Sequence, residues 1–275
     1  MKLILKVIVF IIPFQLMAQD NVKLSSQDIV LRANFHQKIM DFPLMFRLSL
    51  DKAFQARKQL SSGRNLSDDD LSTIKWALDI SYDSIKMQNF LIKNLDSNIL
   101  ISDKEKLSDW FQSDIGKRFI STSRELTEKE FEEMRLWVTR LEKDPQAGKI
   151  KILSRLSKAI HYTELNVSSS LVMMAAGMTS MAAVSIPKKE KVYKESFAKV
   201  FKTIIGTSAD LEKGLAGESL MKLMYKYRDF SIKDVEIITS FWEGRGKSFS
   251  DYMYKNSISY LIYGANKMEK KLYKI

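Results

Sequence analysis

Residues 67–85 read SDDDLSTIKWALDISYDSI, and this stretch decides the fold. Ser67 stands before three acids, Asp68, Asp69 and Asp70, as a capping residue stands before a helical first turn whose dipole favours negative charge. Leu71, Ile74, Leu78, Tyr82 and Ile85 then recur at spacings of three and four, which puts them on one face of a helix.

The same grammar recurs along the chain. Ser102 with Glu105, Thr127 with Glu130, and Ser231 with Asp234 have the spacing of capping boxes. Phe131, Met134, Val138 and Leu141 follow the second of these. Asp144-Pro145 restarts a helix carrying Ile150, Leu153, Leu156 and Ile160. Ile258, Leu261, Ala265, Met268 and Leu272 form a last apolar row. No stretch sustains a period of two, and no Asn-Gly or Asp-Gly turn occurs. The expectation is an all-α, multi-helix bundle of about nine to eleven helices without a sheet.

The chain has 275 residues, 45% of them hydrophobic, with no Cys and two His. That composition excludes disulfide frameworks, Cys-based zinc or iron–sulfur sites, thiol nucleophiles and multi-His metal centres. No metal and no cofactor is expected. Lys2 and Lys6, the apolar run Val7–Phe14 and Ala18 together form a secretory signal pattern over residues 1–18. Its removal lowers the net charge of +11 by the two lysines and no acid. Export to the periplasm or beyond argues against nucleic acid as the partner of a basic protein. It favours an envelope protein or an anionic envelope surface.

Residues 165–187 carry no charge and are rich in Met and Ala. Two readings stay open for them: a buried central helix, or a helix that meets a membrane or a partner. The small residues and seven Asn, Ser and Thr side chains favour the buried helix over an integral span. Lys188 to Lys191 form the best linker. The chain divides there or near residue 150, with 19–150 as one helical lobe and 151–275 as a second, or runs as one continuous domain.

A motif lies at 110–119, Trp110-Phe111-Gln112-Ser113-Asp114-Ile115-Gly116-Lys117-Arg118-Phe119. It returns at 241–249 as Phe241-Trp242-Glu243-Gly244-Arg245-Gly246-Lys247-Ser248-Phe249, with the spacing from Gly to Phe kept. Two pseudo-repeated lobes are the expectation. In each copy the aromatic pair ends a helix in the core, and the later Phe re-enters the core. Gly116 and Gly246 supply either a left-handed turn or a close approach. The structural set is therefore Trp110, Phe111, Gly116, Phe119, Phe241, Trp242, Gly246 and Phe249. Ser113, Lys117, Arg118, Arg245 and Lys247 form the candidate binding set, a polar rim suited to an anionic ligand.

The 110–119 segment resembles the hallmark of a family of secreted helical proteins of Gram-negative bacteria, a domain of unknown function. That family's pattern is Phe-Tyr-x-Ser-Pro-x-Gly followed by basic and apolar positions. Trp110 and Phe111 match the aromatic pair, Ser113 the Ser, Gly116 the Gly and Lys117 the basic position, while Asp114 replaces Pro. The resemblance covers residues 65–125. It implies a helical fold and an exported protein, and no reaction.

No catalytic residue is assigned. His36 and His161 have no nucleophile-elbow sequence near them, and Gly244-Arg245-Gly246-Lys247-Ser248 lacks the first Gly of a phosphate-binding loop. Glu195-Ser196 and Gly217-Glu218-Ser219-Leu220-Met221 resemble the lytic transglycosylases, with Lys222 where Gln is expected. That resemblance implies a wall-glycan enzyme using Glu195 or Glu218 as its acid. It stands as the alternative to a non-enzymatic envelope protein, beside a lipid-binding protein that uses residues 165–187.

Overall fold

The computed structural model describes residues 23–33, 42–59, 67–122, 126–140, 147–185, 196–207 and 209–273. Signal segment 1–18, the linker at 188–191, His36, Asp144-Pro145 and Glu195 lie outside the described residues. The protein is an all-α multi-helix bundle, and among the described residues there are thirteen helices and no strand. They are α1 (Ser26–Arg32), α2 (Phe42–Gln59), α3 (Asp68–Ser81), α4 (Ser84–Asn98), α5 (Ile101–Gln112), α6 (Asp114–Thr122) and α7 (Glu128–Val138). There follow α8 (Ala147–Ala159), α9 (Tyr162–Ser185), α10 (Phe197–Thr207), α11 (Ala209–Lys226), α12 (Ile232–Glu243) and α13 (Lys247–Leu272).

The helix count exceeds nine to eleven because the chain breaks helices at very short junctions. Ser113 alone separates α5 from α6, and Tyr82-Asp83 separate α3 from α4. The capping boxes at Ser67/Asp70, Thr127/Glu130 and Ser231/Asp234 are formed. That at Ser102/Glu105 is not. Leu100 occupies the N-cap of α5 without a side-chain bond, and Ser102 lies inside the helix. The cause is the short turn after α4: the helix starts where burial of Leu107, Trp110 and Phe111 requires it, two residues earlier than the polar signal.

Two apolar rows are also corrected. Ile85 belongs to α4 rather than to the face of α3 and is exposed, since α3 ends at Ser81. Ile150 is exposed on α8, whereas Lys149 is buried beside it and donates to the Arg228 carbonyl at 2.8 Å. The inward row of α8 thus runs through Lys149, Leu153, Leu156 and Ile160, because the α11–α12 turn offers a carbonyl that a lysine satisfies and an isoleucine does not.

Helix α9, the uncharged segment, is the hub. It packs on α2, α3, α8, α10, α11 and α13. It is also the one helix among the described residues long and apolar enough to cross a membrane, and half of its most apolar window is buried inside the protein. Small residues let neighbours approach: Gly177 faces the ring of Phe46. Its polar groups are mostly spent within the core, with Asn166 donating to Ser219 and Ser180 to the Ala176 carbonyl.

The long C-terminal helix α13 ties the early helices to the late ones. Tyr82 donates to the Leu261 carbonyl at 2.9 Å, and its ring lies over Gly264. Tyr252 and Tyr260 donate to the carbonyls of Leu91 and Asp83. Burial pushes the Tyr82 phenol well up, and those of Tyr252 and Tyr260 up to about 12. The buried residues form one cluster that includes Phe46, Leu78, Leu107 and Phe119 from before residue 150 and Val172, Ile238, Trp242 and Leu261 from after it.

Candidate functional site

The two motif stretches meet face to face. Trp110 stacks on Phe241 with ring centroids 4.2 Å apart and planes at 6°. Phe111 lies against Trp242 at 6.3 Å, and Phe119 and Phe249 flank that same indole at 5.4 and 6.5 Å. The three aromatic residues of the first copy thus all lie against the aromatic pair of the second. The polar contacts repeat this reciprocity. Asp103 of α5 accepts from Ser248 of α13, and Asp234 of α12 accepts from Arg118 of α6. Asp103 and Asp234 each stand seven residues before the first aromatic of their copy, and Arg118 and Ser248 each stand two after the Gly.

Both glycines are there for proximity. Neither has a positive φ; the one positive φ outside glycine among the described residues is at His161. A Cβ on Gly116 would overlap the Trp110 carbonyl oxygen and sit 2.8 Å from its carbonyl carbon. A Cβ on Gly246 would sit 2.5 Å from Trp242 and 2.8 Å from Phe241. The left-handed alternative is thereby corrected: the stacked rings and the sharp α5–α6 corner leave no room for a side chain.

The five candidate binding residues divide into two groups. Ser113 is used by the corner itself. Its hydroxyl donates to the Trp110 carbonyl at 2.6 Å and accepts the Gly116 N–H at 3.1 Å, capping the first turn of α6. Arg118 pairs with Asp234 at 3.1 Å and lies over the Phe230 ring at 4.3 Å. Its hydrogen bond holds the Asp234 carboxyl below the usual range. The Lys117 side chain is exposed and makes no hydrogen bond or ion pair among the described residues.

The second group lines an open recess between the first turns of α5 and α13. Gly244, Arg245, Lys247, Ser248 and Asp251 line it from the α12–α13 side, and Asp103 and Lys106 from α5. Lys247 pairs with Asp251 at 2.8 Å and Lys106 with Asp103 at 2.9 Å. Arg245 is exposed and, like Lys117, unpaired among the described residues. Arg118 is engaged at the start of α12 and Lys247 beside the start of α5, so one continuous rim does not form.

Sequence reasoning missed the acids of this recess and the histidine behind it. His161 sits in the turn between α8 and α9 with φ of 51°, where glycine is usual. Its Nε2 lies 2.7 Å from Asp251, and its ring stacks on Tyr254 at 4.6 Å. Burial pushes the Asp251 carboxyl up, but hydrogen bonds from His161 and Lys247 outweigh it and leave the group below its ordinary value. The backbone strain at Ile160-His161-Tyr162 has no signature that side-chain types alone reveal.

Among the described residues no group of three or more metal-ligating side chains comes together. Glu218 is ion-paired with Lys222 at 2.7 Å on one face of α11. Compared with family models, with curated proteins and with solved structures, the chain has no match.

Proposed function

We propose that this chain is an exported, non-enzymatic helical protein of the bacterial envelope that binds or supports a partner, and that its two motif corners are copies of one unit related by a pseudo-two-fold. The observation that carries the reading is how the motif is spent. Its aromatic rings, its glycines and Ser113 go into packing, while the side chains of Lys117 and Arg245, one in each copy, are exposed and unpaired among the described residues. A packing device that presents two separate cations suits recognition of an anionic surface more than bond-breaking chemistry. The reciprocal contacts of Asp103 with Ser248 and of Asp234 with Arg118 support the repeat. The resemblance of residues 65–125 to a secreted helical family supports export.

Photocrosslinking groups placed in cells at positions 117 and 245 test this. The expected result is one discrete envelope species captured from at least one position, with the protein found outside the cytoplasm. A folded protein retained in the cytoplasm overturns export. A folded, exported protein that captures nothing from either position overturns the binding role of the free cations.

A further inference from the structure

The two corners differ where each reaches across to the other copy. From α6, Arg118 crosses to Asp234 at 3.1 Å and lays its guanidinium over the Phe230 ring at 4.3 Å. On α13 the corresponding position, two after the Gly, is Ser248. Its short hydroxyl reaches Asp103 at 3.2 Å and extends no further. Where one copy has an arginine, the other has the recess between α5 and the α12–α13 turn, with a volume of about 600 Å³. Small-molecule sites run from about 300 to 1,000 Å³.

Three cations line this recess, Lys106, Arg245 and Lys247, with two carboxylates, Asp103 and Asp251. Both acids are already engaged within the protein. Asp103 accepts from Lys106 at 2.9 Å and from Ser248, and these bonds hold its carboxyl below the ordinary range. Asp251 accepts from Lys247 through both oxygens, at 3.0 and 2.8 Å, and lies 2.7 Å from His161 Nε2. The Arg245 side chain has no partner among the described residues. The lining therefore keeps one positive charge in excess, and that charge is Arg245. An ammonium group has three protons, so Lys106, with one on Asp103, keeps donors for a second acceptor. The first corner offers no such set: the counterpart of Lys106, four residues before the first aromatic, is Ile237.

The donors select the ligand. A guanidinium fork takes two oxygens of one oxyanion at once, and each ammonium takes a further one. A carboxylate has only two oxygens in one plane. A phosphate group presents its oxygens as a tetrahedron, so it can meet donors from α5 and from the α12–α13 turn together.

We infer that this recess binds a phosphate group, held by the Arg245 fork and by Lys106 and Lys247. Asp103 and Asp251 are positioning residues that fix the two lysines. The inference deepens the proposed function by naming the ligand class met at Arg245. It rests on that reading only for where the phosphate is encountered, because binding by the purified chain requires neither export nor a partner.

Titration calorimetry of the full chain with inorganic phosphate, against chloride at matched ionic strength, tests the inference. Wild type should bind phosphate, and Arg245→Gln should weaken binding by more than about 10-fold. Lys255→Gln, an equal loss of charge at an exposed position farther along α13, should change nothing. Ser248→Arg is the sharpest variant. It adds a positive charge, so attraction by diffuse charge would grow. It also gives this corner the arginine of the other, which plugs the recess. Binding should fall by more than about 10-fold in a protein whose Tm is not lowered. Absence of phosphate binding in wild type, or binding kept or strengthened in Ser248→Arg, overturns the inference. Flotation with phosphatidylglycerol vesicles separates the sources of a bound phosphate. Vesicle binding that inorganic phosphate competes away assigns a lipid headgroup, and phosphate binding without vesicle binding assigns a soluble phosphate. Phosphate binding by a protein retained in the cytoplasm sustains the recess and overturns export alone.

Discussion

Replacing Gly116 with Ala adds one methyl group where the backbone of another helix stands. The new Cβ would overlap the Trp110 carbonyl oxygen and lie 2.8 Å from its carbon, with the Ser113 hydroxyl at 3.0 Å. A side chain can rotate away from such a clash, but a carbonyl held by Ser113 cannot do so cheaply. The α5–α6 corner must open, at about 1–3 kcal/mol for overpacking. Opening also disturbs the Ser113 cap on α6, worth about 1 kcal/mol. The sum is about 2–4 kcal/mol, which for a protein of this size lowers Tm by roughly 5–15 °C. Thermal unfolding followed by circular dichroism reads this directly. Gly214→Ala is the control, a helical glycine of α11 with nothing within 4 Å of its Cβ. It should gain about 0.5–1 kcal/mol. Gly116→Asn separates steric from conformational causes, because Asn tolerates a left-handed backbone. Here Asn should be at least as damaging as Ala. A Gly116→Ala protein melting within about 2 °C of wild type, or an Asn variant more stable than the Ala one, refutes the reasoning.

Gly264→Ala should likewise destabilise, since its Cβ would overlap the Tyr82 ring; combining it with Tyr82→Leu should recover part of the loss, measured as Tm. Stability should fall as pH rises above about 10, because the Tyr82, Tyr252 and Tyr260 phenols keep their protons when folded and release them near pH 10 when unfolded. Absorbance titration should show these three resisting ionisation until the protein unfolds, and free titration of all ten tyrosines in the folded state would contradict it. On the acid side, Asp103, Asp234 and Asp251 titrate lower folded than unfolded, so their contribution is complete above about pH 4 and lost as pH falls through their folded values. Urea midpoints should decline below about pH 4, and less steeply in Arg118→Ala, which removes the partner of Asp234.

Local signals were legible where a residue and its neighbours three or four positions away settle the matter. Ser67 caps α3 with Asp70 because both groups belong to one turn. The rows Leu261, Ala265, Met268 and Leu272 are inward because period alone sets that face. Period fails where a distant group decides. Lys149 is inside because of the Arg228 carbonyl, and Ile85 is outside because α3 stops before it. The motif copies were legible as a repeat of residue types, but their contact was not. That Trp110 rests on Phe241 depends on how α5 and α12 cross, which no spacing encodes. The rim divided for the same reason: Arg118 and Lys247 each found an acid on the other copy or on its own helix.

The central claim is that the two corners hold each other through their first aromatic residues. A double-mutant cycle between Trp110→Leu and Phe241→Leu tests it most directly, with urea unfolding as the readout. Stacking at 4.2 Å predicts a coupling of about 0.5–1.5 kcal/mol between the two changes. Losses that simply add, with coupling below about 0.3 kcal/mol, would contradict the account.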